Sequence, residues 1–212
     1  MKRNRSLLSL LIERFPEKSR DELFSLILCG EVSVDGSKIR DPKAEVPCDA
    51  HISIERRRFV SRGGDKLDHA LSVFGIDVRG KVVIDAGSST GGFTDCLLQR
   101  GAVAVHAVDV GFNLLAYELR NDPRVILHER TGVMDIRGFL PEAHLATADL
   151  SFRSIRGAAP HLISQTIDHK LVALIKPQFE WRNPPSSFDG VLRDSKVLRG
   201  ILFSLAEALR GE

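Results

Sequence analysis

Apolar positions near the start of the chain follow helical spacing. The run Leu7–Ile12 places apolar residues on one side of a helix and is followed by Pro16, which closes it. Ser19-Arg-Asp-Glu22 is a capping-box pattern, in which the serine accepts from an early helix N–H and the glutamate reaches back. The pattern predicts a second helix that ends at Gly30.

The apolar pattern then changes to alternation. Val32 and Val34 alternate with polar residues and precede Asp35-Gly36, a dipeptide typical of hairpin turns. Ile52 and Ile54 form a second alternating pair. Together these elements predict a small α+β domain over residues 1–60, with a core so small that a neighbour or a ligand would help to stabilise it.

Beyond residue 60, short apolar runs alternate with segments of helical periodicity. The predicted strands are 81–85, 103–109, 125–127, one that ends within 147–150, and 171–175, and the predicted helices are 93–100, 113–120, 155–165 and 194–209. Such alternation favours an α/β fold with a doubly wound parallel sheet. Ligands of these sheets bind beyond the carboxyl ends of the strands, where the strand order reverses.

The first of these strands leads into a glycine-rich loop, Asp85-Ala-Gly-Ser-Ser-Thr-Gly-Gly92. Its spacing differs from the G-x-G-x-x-G of dinucleotide-binding loops, and it lacks the lysine of a phosphate-binding P-loop. Gly87 allows a ligand close to the backbone, and Asp109 closes the second predicted strand. A carboxylate there can accept from both ribose hydroxyls of an adenosine, although a turn or capping role for Asp109 is the alternative. The loop therefore predicts an adenosine-containing ligand without a pyrophosphate.

Composition changes this picture little. A net charge of +2 is too small to indicate a nucleic-acid partner by itself. Cys29, Cys48 and Cys96 are widely spaced, which favours reduced thiols in a cytoplasmic protein over a disulfide framework or a metal site. Apolar runs all fall short of the roughly 18 residues of a transmembrane helix, so no membrane partner is expected.

Positive charge is concentrated where the two predicted domains join. Arg56, Arg57, Arg58 and Arg62 stand beside Gly63-Gly64. This combination predicts a flexible connector that binds RNA phosphates. The alternative is an ordinary hinge that its arginines keep soluble.

The first domain resembles the alpha-L RNA-binding domain of ribosomal protein S-four type. The resemblance rests on Ser19-Arg20 and on the run from Leu26 to Gly36, whereas the Arg-Leu-Asp opening of that family is not evident. In the family, the capped helix and the following hairpin present basic side chains to the RNA backbone. The matching candidates are Arg14, Lys18, Arg20, Lys38, Arg40 and Lys43. Acidic residues between them leave open that they form a solvated surface.

Five ordered motifs beyond residue 60 resemble the TlyA family, ribosomal RNA 2'-O-methyltransferases that are often named hemolysins and are related to the FtsJ-type enzymes. The motifs span residues 85–95, 109–111, 129–131, 148–152 and 176–180, and a further match covers 61–67. The resemblance implies a Rossmann-like methyltransferase domain over residues 61–212 that uses S-adenosylmethionine. It also implies ribosomal RNA or a ribosomal subunit as the partner.

The same resemblance assigns roles to individual residues. Cofactor contacts are expected from Asp85, Gly87, Ser88, Gly91, Gly92, Phe93 and Asp109, and RNA contacts at the junction from Arg57, Arg58 and Arg62. The family uses a Lys-Asp-Lys-Glu catalytic set, to which Lys66, Asp149 and Lys176 correspond. A ribose hydroxyl is a weak acid, so it must be held in line with the methyl group while its proton is removed.

The sequence departs from the family pattern in three places. Gly132 stands where the family has asparagine, and Gly111–Leu115 differs from the usual Gly-Tyr-Gly-Gln-Leu. The given sequence ends at Glu212, before the strands that carry the fourth catalytic residue, and Glu180 occupies a different place. We therefore expect an uncovered sheet edge that allows self-association. An RNA-binding and cofactor-binding protein with impaired catalysis is the alternative function, and a membrane-active hemolysin is disfavoured.

Overall fold

A computed structural model describes residues 4–54 and 58–210 of the chain. The chain forms two compact units, residues 1–58 and residues 59–212. In the described part of the chain, no helix combines the length and apolar character needed to cross a membrane.

The first unit contains two helices and five short strands. These are β1 (Asn4–Ser6), α1 (Leu7–Arg14), α2 (Arg20–Leu28), β2 (Val32–Val34), β3 (Ser37–Lys38), β4 (Glu45–Pro47) and β5 (Ile52–Ile54). The Ser19 side chain accepts from the Glu22 N–H at 3.1 Å, so the predicted cap of α2 is confirmed. Buried side chains of both helices, among them Leu11, Leu23 and Ile27, form the core of this unit.

Strand β2 is the centre of a three-stranded antiparallel sheet, with β3 and β5 on its two sides. Asp35 and Gly36 both have positive φ, at 48° and 80°, which confirms the predicted hairpin turn. A second antiparallel pair, β1 with β4, was not predicted. Neither Asn4-Arg-Ser6 nor Glu45-Val-Pro47 has an apolar alternation, so their pairing depends on tertiary context.

The second unit begins with α3 (Arg62–Val73) and continues as alternating strands and helices. They are β6 (Val82–Ala86), α4 (Gly92–Gln99), β7 (Ala104–Val108), α5 (Tyr117–Arg120), β8 (Val125–His128), a 3-10 helix (Val133–Asp135), β9 (Leu145–Ala148), α6 (Ala158–Ser164), β10 (Leu171–Ala173), α7 (Pro177–Glu180) and α8 (Ser195–Arg210). The five strands are parallel in the order β10-β9-β6-β7-β8. The predicted doubly wound sheet is confirmed, and its order reverses between β6 and β9.

Apolar clusters cover both faces of this sheet. One cluster joins β6 and β7 to α3 and α4 through residues such as Leu67, Leu71 and Leu97. The other joins β6 and β9 to α6 and α8 through residues such as Leu162 and Leu205. All five residues of β6 are buried because helices pack on both sides of it.

Three segments differ from the sequence prediction. The flexible connector predicted from the junction arginines and Gly63-Gly64 is replaced by helix α3 from Arg62, because Ser61 caps the helix by accepting from the Gly63 N–H at 3.3 Å. The helix expected over 113–120 is reduced to α5, since Asn113 has a φ of 58°. Helix α7 was not predicted.

Strand β10 lies at one edge of the sheet. Among the described strands, β9 is its one partner. An open groove of about 680 Å³ runs along this edge and is lined mainly by apolar side chains from β10, α6, the end of α3 and Leu209. Within the described residues, the groove therefore lies beside a strand that has one neighbour; that this edge is uncovered in the protein stays a prediction.

Candidate active site

A second cavity, of about 320 Å³, lies beyond the carboxyl ends of β6, β7 and β9. It lies where the strand order reverses, the place where doubly wound sheets bind their ligands. The larger groove along β10 contains little polar chemistry, whereas this cavity collects carboxylates, hydroxyls and backbone groups. Its lining consists of Ala86, Gly87, Ser89, Val108, Asp109, Val110, Leu114, Thr131, Gly132, Val133 and residues 149–153.

Gly87 forms the floor of the cavity between two strands. Its φ is 82°, and a Cβ on it would lie 2.7 Å from the backbone oxygen of Asp149. The position therefore admits glycine alone, which leaves the backbone open to a ligand. The neighbouring Ser88 hydroxyl is buried and finds no hydrogen-bond partner among the residues that the structure describes, so a bound ligand could satisfy it.

Asp109 lies directly after β7 and lines the same cavity. Its Oδ2 accepts from the Ser89 N–H at 2.8 Å and its Oδ1 from the Gly111 N–H at 2.7 Å. These two bonds fix the carboxylate and connect the loops after β6 and β7. Each oxygen retains acceptor capacity, so the position fits the ribose hydroxyls of an adenosine.

Asp85 lies beneath the cavity rather than in its lining. The carboxyl group is fully buried and accepts from Thr94 Oγ1 at 2.6 Å. Burial raises the pKa of Asp85 to about 7, with a smaller upward contribution from the charge of Asp149, although hydrogen bonds from Thr94 and Thr147 oppose the shift. Direct contact of Asp85 with a cofactor stays a prediction, since this side chain supports the loop from below.

Three further predicted cofactor residues, Gly91, Gly92 and Phe93, also lie outside the lining of the cavity. Phe93 is 6% exposed and belongs to the apolar cluster under α3 and α4. A Cβ on Gly91 would clash with Leu119, and one on Gly92 would clash with Ser61. Their observed role is close packing of α4, and contact with a cofactor stays a prediction for each.

Asp149 lines the cavity and forms an ion pair with Lys176. Asp149 follows β9, and Lys176 stands at the start of α7, after β10. The ammonium Nζ of Lys176 lies 2.6 Å from Asp149 Oδ1 and donates to Ser151 Oγ at 2.8 Å. Adjacent parallel strands therefore bring together two of the three predicted catalytic residues.

Lys66 occupies an exposed position in the first turns of α3. None of the hydrogen bonds and ion pairs found in the described residues joins it to Asp149 or Lys176. The structure thus assembles the strand-end pair and leaves the role of Lys66 as a prediction.

The predicted RNA-binding residues of the first unit fall into two groups. Arg14 donates to the Ala50 and Cys48 carbonyls at 2.7 and 2.6 Å, and Lys18 donates to Glu22 at 2.7 Å. The partners of Arg14 are neutral carbonyls and its residue is exposed, whereas the charge of Lys18 is paired with a carboxylate. The other four, Arg20, Lys38, Arg40 and Lys43, are exposed as well. RNA contact stays a prediction for all six residues.

At the junction, Arg57 lies outside the described residues. Arg58 and Arg62 are both exposed, and Arg62 is the first residue of α3. A flexible connector is therefore wrong from residue 62 onward, while RNA contact by these arginines stays a prediction.

Several residues of the cavity were not singled out from the sequence. Ser89 and Thr131 line it, and the Thr131 N–H donates to the Asp109 carbonyl at 2.9 Å. Ser151 joins the site through Lys176. The available signal was positional, since each of these residues lies within a few positions of a strand end.

Comparison with known proteins places this geometry in a family. The model of the FtsJ-like methyltransferase family matches residues 59–207. The 16S/23S rRNA (cytidine-2'-O)-methyltransferase TlyA of Mycobacterium tuberculosis is 41% identical over 196 residues, which cover 88% of this chain and 72% of that protein. Hemolysin A of Brachyspira hyodysenteriae is 39% identical over 190 residues, covering 87% of this chain and 79% of that protein.

A solved structure of a hemolysin-named protein from Streptococcus thermophilus superposes with a TM-score of 0.71. It is 32% identical, and the match covers 98% of this chain and 78% of that one. The chain belongs to the FtsJ-like methyltransferase family, whose methyl donor is S-adenosylmethionine. Within that family it is a member of the TlyA group.

Proposed function

We propose that this chain is an S-adenosylmethionine-dependent 2'-O-methyltransferase that acts on ribosomal RNA. The observation that carries the proposal is the ion pair of Lys176 with Asp149, a residue of the cavity lining, at 2.6 Å. The names of the TlyA relatives support ribosomal RNA as the substrate and the ribose 2'-hydroxyl as the acceptor.

The residues of the cavity fit the cofactor. Gly87 leaves room for the donor beside the backbone, and Asp109 would accept from its ribose hydroxyls. The cofactor supplies an activated methyl group when it is bound. Its adenosine would lie toward Asp109 and Thr131, which leaves the Asp149 side of the cavity for the acceptor.

In its unprotonated form, the Lys176 amine would accept the proton of the ribose hydroxyl as the hydroxyl oxygen bonds to the methyl group, and Asp149 would orient that amine. Lys176 Nζ is held by both Asp149 and Ser151, which fixes the direction in which it points. A group held in this way needs little reorganisation during the reaction, and general-base assistance typically contributes about 10²–10⁴ in rate.

RNA would be held chiefly by the first unit, which we propose to be a domain of the S-four type, and by the junction. The predicted RNA-binding residues that are exposed are Arg14, Arg20, Lys38, Arg40 and Lys43 in this unit, and Arg58 and Arg62 at the junction. Binding through phosphate contacts should weaken steeply with salt, because each contact releases counterions.

The test is transfer of tritiated methyl groups from S-adenosylmethionine to ribosomal RNA under single-turnover conditions, with nuclease digestion to locate the label on ribose. Lys176→Met should abolish most transfer, whereas Lys196→Met, at the exposed start of α8, should leave it unchanged. Absence of transfer by the unmodified chain, with cofactor binding intact, would favour an RNA-binding protein with impaired catalysis.

Self-association through the edge of β10 stays a prediction, which the apolar groove along that edge favours. Light scattering over a concentration series would detect it. A cytoplasmic location is proposed, because the proposed substrate is ribosomal RNA. Leakage of liposomes by the chain would instead support a membrane-active protein.

A further inference from the structure

The loop between β9 and α6 lies along helix α7 and touches it at three successive points. The first contact is the pair of Asp149 with Lys176. In the second, the rings of Phe152 and Phe179 lie with their centroids 5.4 Å apart. The third is made by Glu180, the last residue of α7. The contacts follow the same order along both segments, so each one helps to set the register of the others.

Glu180 uses both carboxylate oxygens in this third contact. Ser154 Oγ donates to Oε2 at 2.5 Å, and the Ile155 N–H donates to Oε1 at 2.8 Å. Ser154 Oγ in turn accepts from the Arg156 N–H at 3.2 Å. Hydrogen bonds to an ionised carboxylate are stronger than neutral ones, and two of them fix an orientation as well as a distance.

The charge of Glu180 is buried and has a partner. The residue is 4% exposed, and its Oε2 lies 3.8 Å from Arg156 Nε. The same guanidinium donates to the carbonyl and hydroxyl oxygens of Ser204 in α8, at 3.1 and 3.3 Å. Since a buried carboxylate is costly without such partners, the arrangement ties the loop to α7 and α8 specifically.

We propose that Glu180 is a positioning residue that holds Asp149 and Lys176 in the geometry needed for methyl transfer. Lys176 is the N-cap of α7 and Glu180 is the last residue of this short helix, so the two residues stand at its opposite ends. Glu180 fixes the loop to one end of α7, and the ion pair forms at the other. The inference rests on the proposed function and assigns Glu180 no contact with the reacting groups.

Three variants of the full chain test the proposal in the single-turnover assay. Glu180→Ala should lower the rate by about 10–10² fold, the size of effect that a small misplacement of reacting groups produces. Cofactor affinity, measured by calorimetry, should stay unchanged. Glu180→Gln should restore most of the rate, because its amide oxygen can accept from Ile155 and its amide nitrogen can donate to Ser154. Ser154→Ala, which removes one of the two bonds, should lie between them.

Asp168→Asn is the matched control. It removes another carboxylate from an ion pair, that of Lys81 with Asp168 at 2.6 Å, at the amino ends of the strands. It should lower the melting temperature and leave the single-turnover rate unchanged. Equal rate losses in Glu180→Ala and Asp168→Asn, or loss of cofactor affinity in Glu180→Ala, would show a merely structural role and overturn the proposal.

Hydrogen exchange separates this inference from the proposed function. The amide hydrogens of residues 149–156 should exchange faster in Glu180→Ala than in the unmodified chain. Their exchange rate should be unchanged in Asp168→Asn. Unchanged exchange in Glu180→Ala would overturn the inference even if the unmodified chain methylates ribosomal RNA. If the unmodified chain transfers no methyl groups but exchange is faster in Glu180→Ala, the result would support the contact of Glu180 with the loop and contradict the proposed function.

Discussion

Basic side chains serve different purposes in the two units of the chain. In the first unit, Arg14 donates to carbonyls of the turn 47–50, and Lys18 pairs with Glu22, so this charge stabilises the fold. In the second unit, Lys176 extends toward a cavity and pairs with a carboxylate from the neighbouring strand. The position of a basic residue at a strand end thus follows from the topology of the sheet. A basic residue on a helix surface can instead bond to neighbouring groups of the same fold.

The largest expected effect concerns the strand-end pair. Asp149→Ala should lower single-turnover methyl transfer by about 10²–10⁴ fold, because Lys176 loses the carboxylate that holds it. Rates with saturating cofactor and ribosomal RNA measure the effect. Asp122→Ala, which removes a partly buried carboxylate paired with Arg124 before β8, is the control and should leave the rate unchanged. Equal rates for the unmodified chain and Asp149→Ala would contradict the catalytic role given to Lys176, in contrast to the stabilising role of Arg14 and Lys18.

A second prediction concerns the pH dependence of the second unit. Burial raises the pKa of Asp85 from 3.8 to about 7 in the folded chain. The folded state therefore keeps its proton while the unfolded state ionises, so stability is highest below about pH 4 and is lost as the pH rises to about 7. The cost at higher pH is roughly 4 kcal/mol, since one pKa unit corresponds to about 1.4 kcal/mol.

Asp85→Asn removes this titration while its amide oxygen can still accept from Thr94. The variant should gain stability relative to the unmodified chain between pH 5 and pH 8, measured by urea unfolding. Burial also lowers the pKa of His106 and of His128, whose pKa the charge of His106 lowers further. Both histidines remain in the variant, so their contribution cancels in the comparison. A difference independent of pH would contradict the protonation assigned to Asp85.

The third prediction is smaller and concerns cofactor binding. Asp109→Ala should weaken S-adenosylmethionine binding by about 1–3 kcal/mol, because charge-assisted hydrogen bonds to ribose are lost. Isothermal calorimetry measures it directly. Asp135→Ala removes a nearby carboxylate outside the cavity lining and serves as the comparison. Unchanged affinity in Asp109→Ala would remove Asp109 from the cofactor site.

The smallest effects are expected in the first unit, where they separate stabilising charge from binding charge. Arg14→Ala should cost about 1–2 kcal/mol of stability, since the Ala50 and Cys48 carbonyls lose their donor. Arg40→Ala should change stability by less than about 0.5 kcal/mol. It should weaken ribosomal RNA binding and reduce the salt slope by about 1. Filter binding over a salt series measures the RNA affinity, and urea unfolding measures the stability. A larger loss of stability in Arg40→Ala than in Arg14→Ala would contradict the prediction.

The sequence predicted the parallel sheet and the strand-end residues because both follow from short apolar runs. Asp109, Asp149 and Lys176 each stand where such a run ends, and parallel strands bring their carboxyl ends together. The turn at Asp35-Gly36 was equally predictable, since the dipeptide suits the positive φ of its turn type.

Other features depend on packing that the pattern does not contain. Asp85 and Phe93 flank the glycine loop and were expected to contact the cofactor. Asp85 is instead fully buried below the cavity, and Phe93 packs in the apolar core. The Glu180 contact joins segments that are far apart in sequence. The start of α3 at Arg62 was hidden by two glycines, which lower helix propensity.

Gly64, near the start of α3, and Gly92, at the start of α4, limit which residues these helix starts can accept. The start of α3 approaches the start of α4 so closely that a Cβ on Gly92 would clash with Ser61 Oγ and come within 2.9 Å of the Gly64 nitrogen. A Cβ on Gly64 would in turn clash with Phe59. A side chain at Gly92 would push the start of α3 away from the start of α4, and one at Gly64 would displace the buried ring of Phe59. A library randomised at both positions should therefore return glycine at each.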